Sequence, residues 1–420
     1  MGTATRKQAP GRMKVLFLAP QPFFVERGTP IAVRFAVETL CQAGHEVDLV
    51  VLHGGEDIAM PGLTLHRVKR PPFVGEVPIG LSPAKILCDL FLVATAFRLL
   101  SRKRFDVIHA VEESVFPALA AQAFRRFKLV YDMDSLMGDQ VVEKWPRLAP
   151  LRRLFAAIER WPMRRADLVM PVCAAIADRV RALAPGQTIQ LLPDVATPVA
   201  AASPNAGPVL DLRTVVGSAT TSIALYVGNL ESYQGTDLLI DAFAQLPPGC
   251  DCHLIIVGGR PDHVEAARAR ARAVRAGERV SLIGPAPLAH LPALLRQADI
   301  LCSPRLKGVN TPMKIYAYMQ AGRGIVATDI LSHTQVLDQS RALLVPPGAA
   351  AFAGAVAALA ADRALRERLG VAAARYAEEE YGADAFQRRL LAGYATLLDE
   401  HSALPRLSMV TASARADQLG

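Results

Sequence analysis

Short apolar runs alternate along this chain with longer stretches of helical period, and the alternation occurs twice. "KVLFLA" at 14–19 reads as a buried parallel strand. A loop at 20–30 follows, then Val33, Ala36, Val37 and Leu40 recur at helical spacing, and Gly44 fits a C-cap. "HEVDLVVL" at 45–52 supplies the next strand. Residues 83–101 are helix-like, and 105–110, 128–135, 166–173 and 188–194 read as further strands. Strands joined by helices in this order pack as a doubly wound parallel sheet.

The pattern stops at 195–216, where Ala, Pro, Ser and Gly dominate without a period, as in a linker. It restarts with strands at 222–230, 252–259, 279–285 and 298–304 and helices at 236–245, 261–276 and 288–297. "GIVATD" and "RALLVPP" supply two more strands, and the chain after about Gly370 is helical and charged. The predicted fold is α/β, two Rossmann-like doubly wound domains facing across a cleft. Their expected bounds are 13–197 and 219–385, with a linker at 198–218 and a C-terminal helix and frayed tail at 386–420.

Composition narrows the function. A chain of 420 residues exceeds the usual span of one domain, and 51% hydrophobic residues exclude global disorder. No apolar run reaches the length of a membrane span; the nearest, 86–97, contains Asp89. The run 15–19 is too short for a signal-peptide core, so a cytoplasmic location is expected. Of six cysteines only Cys250 and Cys252 are close, with no second ligand pair, so reduced thiols and no metal are expected. The net charge of +8 suits nucleic acid, anionic lipid or a phosphorylated substrate. Basic and aromatic residues are not interleaved as in RNA binders, which argues against nucleic acid.

The stretch "SPRLKGVNTPMKIYAYMQAGRGIVATD" at 303–329 carries the clearest chemistry. Arg305 and Lys307 lie in its loop, and Lys314 falls at the start of a helix, where backbone amides and the helix dipole already favour a phosphate. In paired Rossmann domains ligands bind at the carboxyl ends of the strands. The expected positions are therefore the loop at Gly28 and the loops 228–235 and 303–314.

Several motifs, in order, resemble those of GT-B glycosyltransferases of the large retaining group called family 4. "AGHEVDLV", "ADLVMPVCAAIADRV", "YVGNLESYQGTDLLIDAFAQL", "VSLIGPAPLAHLPALLRQADILCSPR" and "AGRGIVATD" carry the resemblance, which covers 14 to about 397. Cys173 stands where the family usually has Ser. The departures fall on the donor site. Asn229 and Gln234 replace the family's Arg and Lys that hold the donor diphosphate, and Ala317 replaces the Glu that holds the donor ribose. "ERGTP" and "NTPMKIY" are similar to a subgroup with Pro-x-Lys, here Pro312-Met313-Lys314, found with exopolysaccharide clusters.

The resemblance implies a retaining sugar transferase. Its donor is a nucleotide-diphosphate sugar, and its acceptor is a glycan or a lipid-linked saccharide. The acceptor belongs to the first domain and the donor to the second, and no metal is required. Arg305 and Lys314 are the expected replacement cations, with Asp134 and Glu112 beside them as catalytic candidates. Gly28, Thr29, Gly228, Asn229, Gln234, Asn310 and Thr311, with Lys314, are the expected donor contacts. Plainer readings stand beside these. Arg305 and Lys314 also read as solvated cations, and Gly28 and Thr29 as an ordinary turn, with Arg27 a weaker candidate. His109 also reads as a satisfied core histidine, Glu113 competes with Glu112, and Asp134 or Ser135 reads as a helix cap. Residues 150–165 form a basic amphipathic pattern: Leu151, Leu154, Phe155, Ile158 and Trp161 on one stripe, Arg153, Arg160 and Arg164 on another. Such a helix either lies on anionic lipid at the inner face of the membrane or packs its stripe on the sheet. Two other functions stay open: a nucleotide-sugar epimerase on the same fold, and an inactive binding subunit.

Overall fold

The computed structural model describes residues 11–25, 28–78, 82–196 and 207–399. Its first domain holds six parallel strands: β1 (Lys14–Pro22), β2 (Glu46–Leu52), β3 (Leu63–Arg67), β4 (Val107–Val111), β5 (Lys128–Met133) and β6 (Leu168–Pro171). They lie in the order β3-β2-β1-β4-β5-β6. The second domain repeats the plan with β7 (Ser222–Val227), β8 (Cys252–Val257), β9 (Val280–Gly284), β10 (Ile300–Ser303), β11 (Gly324–Thr328) and β12 (Leu343–Val345). Their order is β12-β11-β10-β7-β8-β9. The strand order reverses beside β1 and β4 in one sheet and beside β7 and β10 in the other. A crevice opens at such reversals, outside the carboxyl ends of the strands.

Continuous apolar runs form these strands because helices cover both faces. On one face of the first sheet the helices Pro83–Arg102, Val115–Ala121 and Ala174–Leu183 bury Cys88, Leu92, Val115, Ile176 and Val180. On the other, Val33, Val37 and Leu40 of the helix Gly28–Gln42 meet Phe386, Leu390, Tyr394 and Leu397 of the helix Ala383–Asp399. The last helix thus follows the second domain in sequence and completes the core of the first. The expected C-terminal helix begins at Ala383 and joins this core, while the expected frayed tail lies outside the described residues.

Two strand readings are corrected. Residues 188–194 form no strand; Ile189 makes a single isolated bridge to Val169. The edge strand β3 is absent from the sequence reading, because "LTLHR" is short and half polar. The stretch 195–216 is not wholly irregular either: Leu212–Val216 is a helical turn capped by Asp211, whose side chain accepts from the Arg213 amide.

The basic amphipathic stretch forms a 3-10 turn, Pro146–Leu151, and a helix, Arg152–Arg165. Its stripe does not pack on the sheet. Leu151, Leu154, Ile158 and Trp161 are 44%, 53%, 44% and 51% exposed. Met163, Pro162 and, unexpectedly, Glu159 turn inward; Glu159 accepts from the Gly138 amide at 2.7 Å. Among the described residues no helix is long and apolar enough to cross a membrane.

Candidate active site

In the second domain three glycine turns bring the switch-point loops together. Gly228 follows β7 with φ +148°, and Gly258 follows β8 with φ +122°. A Cβ on Gly258 would lie 2.1 Å from the Gly228 carbonyl oxygen, so the two turns touch. Gly235, at φ +73°, would place a Cβ 2.0 Å from the Pro304 carbonyl oxygen. Only glycine allows both approaches. The Leu306 amide donates to Tyr233 O at 2.8 Å, which locks the loop after β10 to the loop after β7.

Lys314 is the second residue of the helix Met313–Gln320 and reaches back into this junction. Its ammonium lies 4.0 Å from the centre of the Tyr226 ring and donates to Gln234 Oε1 at 3.2 Å. A Cβ on Gly228 would stand 2.8 Å from Lys314 Nζ. Burial, helped by the Arg305 guanidinium, pushes the Lys314 pKa down to about 7. Arg305 lies over the Tyr233 ring at 5.5 Å and donates to the carbonyls of Lys307 at 2.6 Å and Asn310 at 3.2 Å.

Behind Arg305 stands His333, fully buried. Its Nδ1 meets the Thr328 carbonyl at 2.8 Å, so Nδ1 carries the proton, and Nε2 accepts from the Ser303 hydroxyl at 2.9 Å. Burial, with Arg305 and Lys314 adding, pushes its pKa down to about 4, so the imidazole is neutral. The Thr328 hydroxyl donates to the Arg305 carbonyl. Beside these loops a cavity of about 510 Å³ is lined by Gly228, Asn229, Glu231, Gly258, Arg260 and His263, with Pro285, Pro287 and Leu291 as an apolar wall.

In the first domain the ends of β4 and β5 present carboxyl groups. Glu112 follows β4 directly and holds φ +51°, a conformation costing roughly 1–3 kcal/mol in a side-chain-bearing residue. It accepts from the Ser135 hydroxyl at 3.0 Å. Burial, with Glu113 adding, pushes its pKa up to about 8. Asp134 accepts from Thr29, and burial together with Asp132 raises its pKa well above the carboxylate range. Asp194 is pushed up to about 7 by burial and Asp132. Glu113 is drawn aside by Lys85, which also pairs with Asp89 at 2.5 Å.

Several expected roles are corrected. Asp134 and Ser135 do not cap the next helix, Met137–Lys144, whose cap position is Leu136 without a side-chain bond. The cap position of the helix Met313–Gln320 is Pro312, without a side-chain bond. Asn310, expected among the donor contacts, donates across the cleft to the Asp134 carbonyl, and Thr311 is buried. His109 is a core histidine, stacked on Phe17 at 4.1 Å and bonded to Tyr394 at 2.9 Å and Asp132 at 3.1 Å. Gly28 and Thr29 open the first helix at the mouth of β1, half-buried. Asn229 is exposed at the cavity, and Gln234 is buried against Lys314. Arg27 lies outside the described residues. The sequence reading missed Tyr226, Tyr233, His333, Asp194 and Gln335. Tyr226 and Tyr233 lie within the glycine-turn motif at 226–235, and that position was their signal; His333, Asp194 and Gln335 are isolated in sequence from the loops they meet.

Residues 221–362 match the family model described as "Glycosyl transferases group 1", and residues 27–193 match "Glycosyl transferase 4-like domain". Each domain thus matches a glycosyltransferase family model, and the two together have the GT-B fold. Over 176 residues this GT-B chain is 30% identical to a phosphatidyl-myo-inositol mannosyltransferase of Mycobacterium leprae (strain TN), covering 41% of this chain and 46% of that one. It thus spans about half the length of that relative. Over 368 residues it is 26% identical to a D-inositol 3-phosphate glycosyltransferase of Kribbella flavida, covering 82% and 83%. Among solved structures, sucrose-phosphate synthase from Thermosynechococcus elongatus superposes with a TM-score of 0.74 at 20% identity, over 93% of this chain and 100% of that one.

Proposed function

We propose that this GT-B chain transfers a sugar, with retention, from a nucleotide-diphosphate sugar to a glycan or lipid-linked acceptor in the synthesis of exopolysaccharide or another cell-surface glycan. One observation carries the reading. Where the resemblance implies a diphosphate-binding Lys, this chain has Gln234, and the Lys314 ammonium stands 3.2 Å from the Gln234 amide oxygen. The missing charge returns from another helix to the same place. Arg305 stands near enough to depress the Lys314 pKa. Asn229 and Gln234 alone cannot neutralise a departing diphosphate, whereas this pair can.

The cavity beside Gly228 suits the nucleoside, with Glu231 and Arg260 at its polar rim. The sugar would then point toward Glu112 and Asp134. Burial raises the pKa of both carboxyls; Glu112, pushed up to about 8, keeps a proton near neutral pH and donates a hydrogen bond to a sugar or acceptor hydroxyl. The bond from the anomeric carbon to the phosphate oxygen breaks as the bond to the acceptor oxygen forms. The acceptor proton passes to the departing phosphate, whose charge is held by Arg305, Lys314 and the amides at the start of the helix Met313–Gln320. The reading calls for no metal, since side-chain cations take that charge.

The exposed apolar stripe and the arginines of the helix Arg152–Arg165 support contact with an anionic membrane at its cytoplasmic face. A lipid-linked acceptor fits that placement, and one relative is named for a lipid acceptor.

A panel of nucleotide sugars, scored for hydrolysis and transfer, tests the activity. Arg305→Ala and Lys314→Ala should each reduce transfer roughly tenfold or more, since a charge-assisted hydrogen bond contributes about 1.5–3 kcal/mol. A chain that binds nucleotide but transfers and hydrolyses nothing is an inactive binding subunit, and the reading fails. Parent-level transfer by both variants removes the relocated phosphate site.

A further inference from the structure

The helix Ala174–Leu183 follows β6 and has an incomplete start. Its cap residue, Cys173, has the extended backbone a cap requires, with φ −149° and ψ 163°, yet its side chain makes no geometrically formed cap hydrogen bond; its sulfur only faces the Ala175 and Ile176 amides and the Gln335 side chain. Sulfur is a weak acceptor, and a thiol at this position replaces the hydroxyl or carboxylate that helices prefer. The Ala175 amide belongs to the first turn and has no carbonyl acceptor within its own helix.

That amide is taken by the other domain. Ala175 N donates to Gln335 Oε1 at 2.8 Å across a sequence separation of 160 residues. The same side chain uses its other end: Gln335 Nε2 donates to the Val309 carbonyl at 2.7 Å. Val309 lies in the loop that carries Arg305, and its side chain packs against the core of the first domain that includes Val172, Cys173 and Ile176. One residue further on, Asn310 reaches the Asp134 carbonyl, while Arg305 holds the Asn310 carbonyl at 3.2 Å. A single amide therefore touches both walls of the cleft and the cation-bearing loop.

We propose that Gln335 is a positioning residue. It latches the loop of Arg305 to the first domain, and it supplies from the second domain an oxygen acceptor where the helix start offers only the weak Cys173 sulfur. The consequence for catalysis rests on the donor reading given above; the latch itself does not. An ordinary hydrogen bond contributes only a modest net free energy, so the latch holds the closed arrangement without preventing it from opening. Opening returns the Ala175 amide and both ends of Gln335 to water. Closing assembles the loop, Asn310 and Asp134 in one step.

Amide hydrogen exchange and small-angle scattering on the full chain test this without a nucleotide. Gln335→Ala should speed exchange at Ala175 roughly fivefold and enlarge the radius of gyration, with unchanged exchange in β7 and β8. Cys173→Ser supplies the cap within the helix; it should melt no lower than the parent and also lie more open. Gln335→Ala added to Cys173→Ser should then open the chain little further. Unchanged Ala175 exchange and an unchanged radius in Gln335→Ala overturn the latch. Binding of UDP and GDP is measured in parallel. If neither binds the parent while Gln335→Ala still opens it, the latch stands and the donor reading falls. If one binds while Gln335→Ala leaves Ala175 protected, the latch falls alone.

Discussion

At the scale of one residue, the proposed donor site turns on Lys314. Its pKa, pushed down to about 7, arises from burial and from Arg305. A bound diphosphate favours the ammonium and raises that pKa again, so binding takes up a proton when the pH lies above 7. The sign follows: affinity for a nucleoside diphosphate is flat below about pH 7 and falls as the pH rises, by at most about tenfold per pH unit. Titration calorimetry with UDP or GDP, in two buffers of different protonation enthalpy, should register the uptake near pH 8. Equal affinities at about pH 6.5 and about pH 8.5 would count against a Lys314–phosphate contact. At this scale the sequence told half the story. The neutral residues at 229 and 234 and the cations at 305 and 314 could be read directly. The contact of Lys314 with Gln234, and the His333 that braces the Arg305 loop, arise from chain segments far apart, and no local pattern announces them.

Among the elements, the strands were the most legible, because strands buried on both faces read as unbroken apolar runs. Edges were the least. The strand β3 has one neighbour and a mixed sequence, and Ile189 makes one bridge without extending into a strand. The helix Arg152–Arg165 shows a different limit. Its periodicity was plain, but periodicity states that an apolar stripe exists and not where it faces. Here the inward face is built from Pro162, Met163 and a carboxylate occupied with the Gly138 amide, which leaves Leu154, Ile158 and Trp161 outside with the arginines. The helix should therefore hold the protein on vesicles containing anionic lipid and release it on neutral ones. Replacing Arg153, Arg160 and Arg164 together by Glu should abolish sedimentation with anionic vesicles at low salt and leave the melting temperature within a few degrees. Retained sedimentation by the triple variant would place the contact elsewhere.

Across the whole molecule, the two domains meet at two kinds of joint. Ala196 and Tyr381, at the ends of the first and second domains, are tied by Ala196 N to Tyr381 O at 2.7 Å, and Gln320 donates to the Ala196 carbonyl at 2.9 Å. The two described crossings of the chain thus lie side by side, as the two leaves of one hinge. Away from it, the described seam is mostly polar: Asn310 on Asp134 and Gln335 between Ala175 and Val309, with the Val309 side chain as an apolar contact on the first domain's core. Hydrogen bonds of this kind exchange with water at little net cost, whereas the hinge is backed by the Tyr316–Tyr381 ring contact at 4.9 Å and by the apolar face of the last helix. Motion should therefore pivot at Ala196 and Tyr381 and open at the seam. A diphosphate drawn in by Arg305 and Lys314 orders the loop that bears Asn310, and so biases the seam toward closure. Small-angle scattering should show the chain compacting when saturated with whichever of UDP and GDP binds, and Arg305→Ala should remove the compaction while leaving the free protein's radius unchanged. An unchanged radius despite measured binding would mean that donor capture and closure are separate events in this molecule.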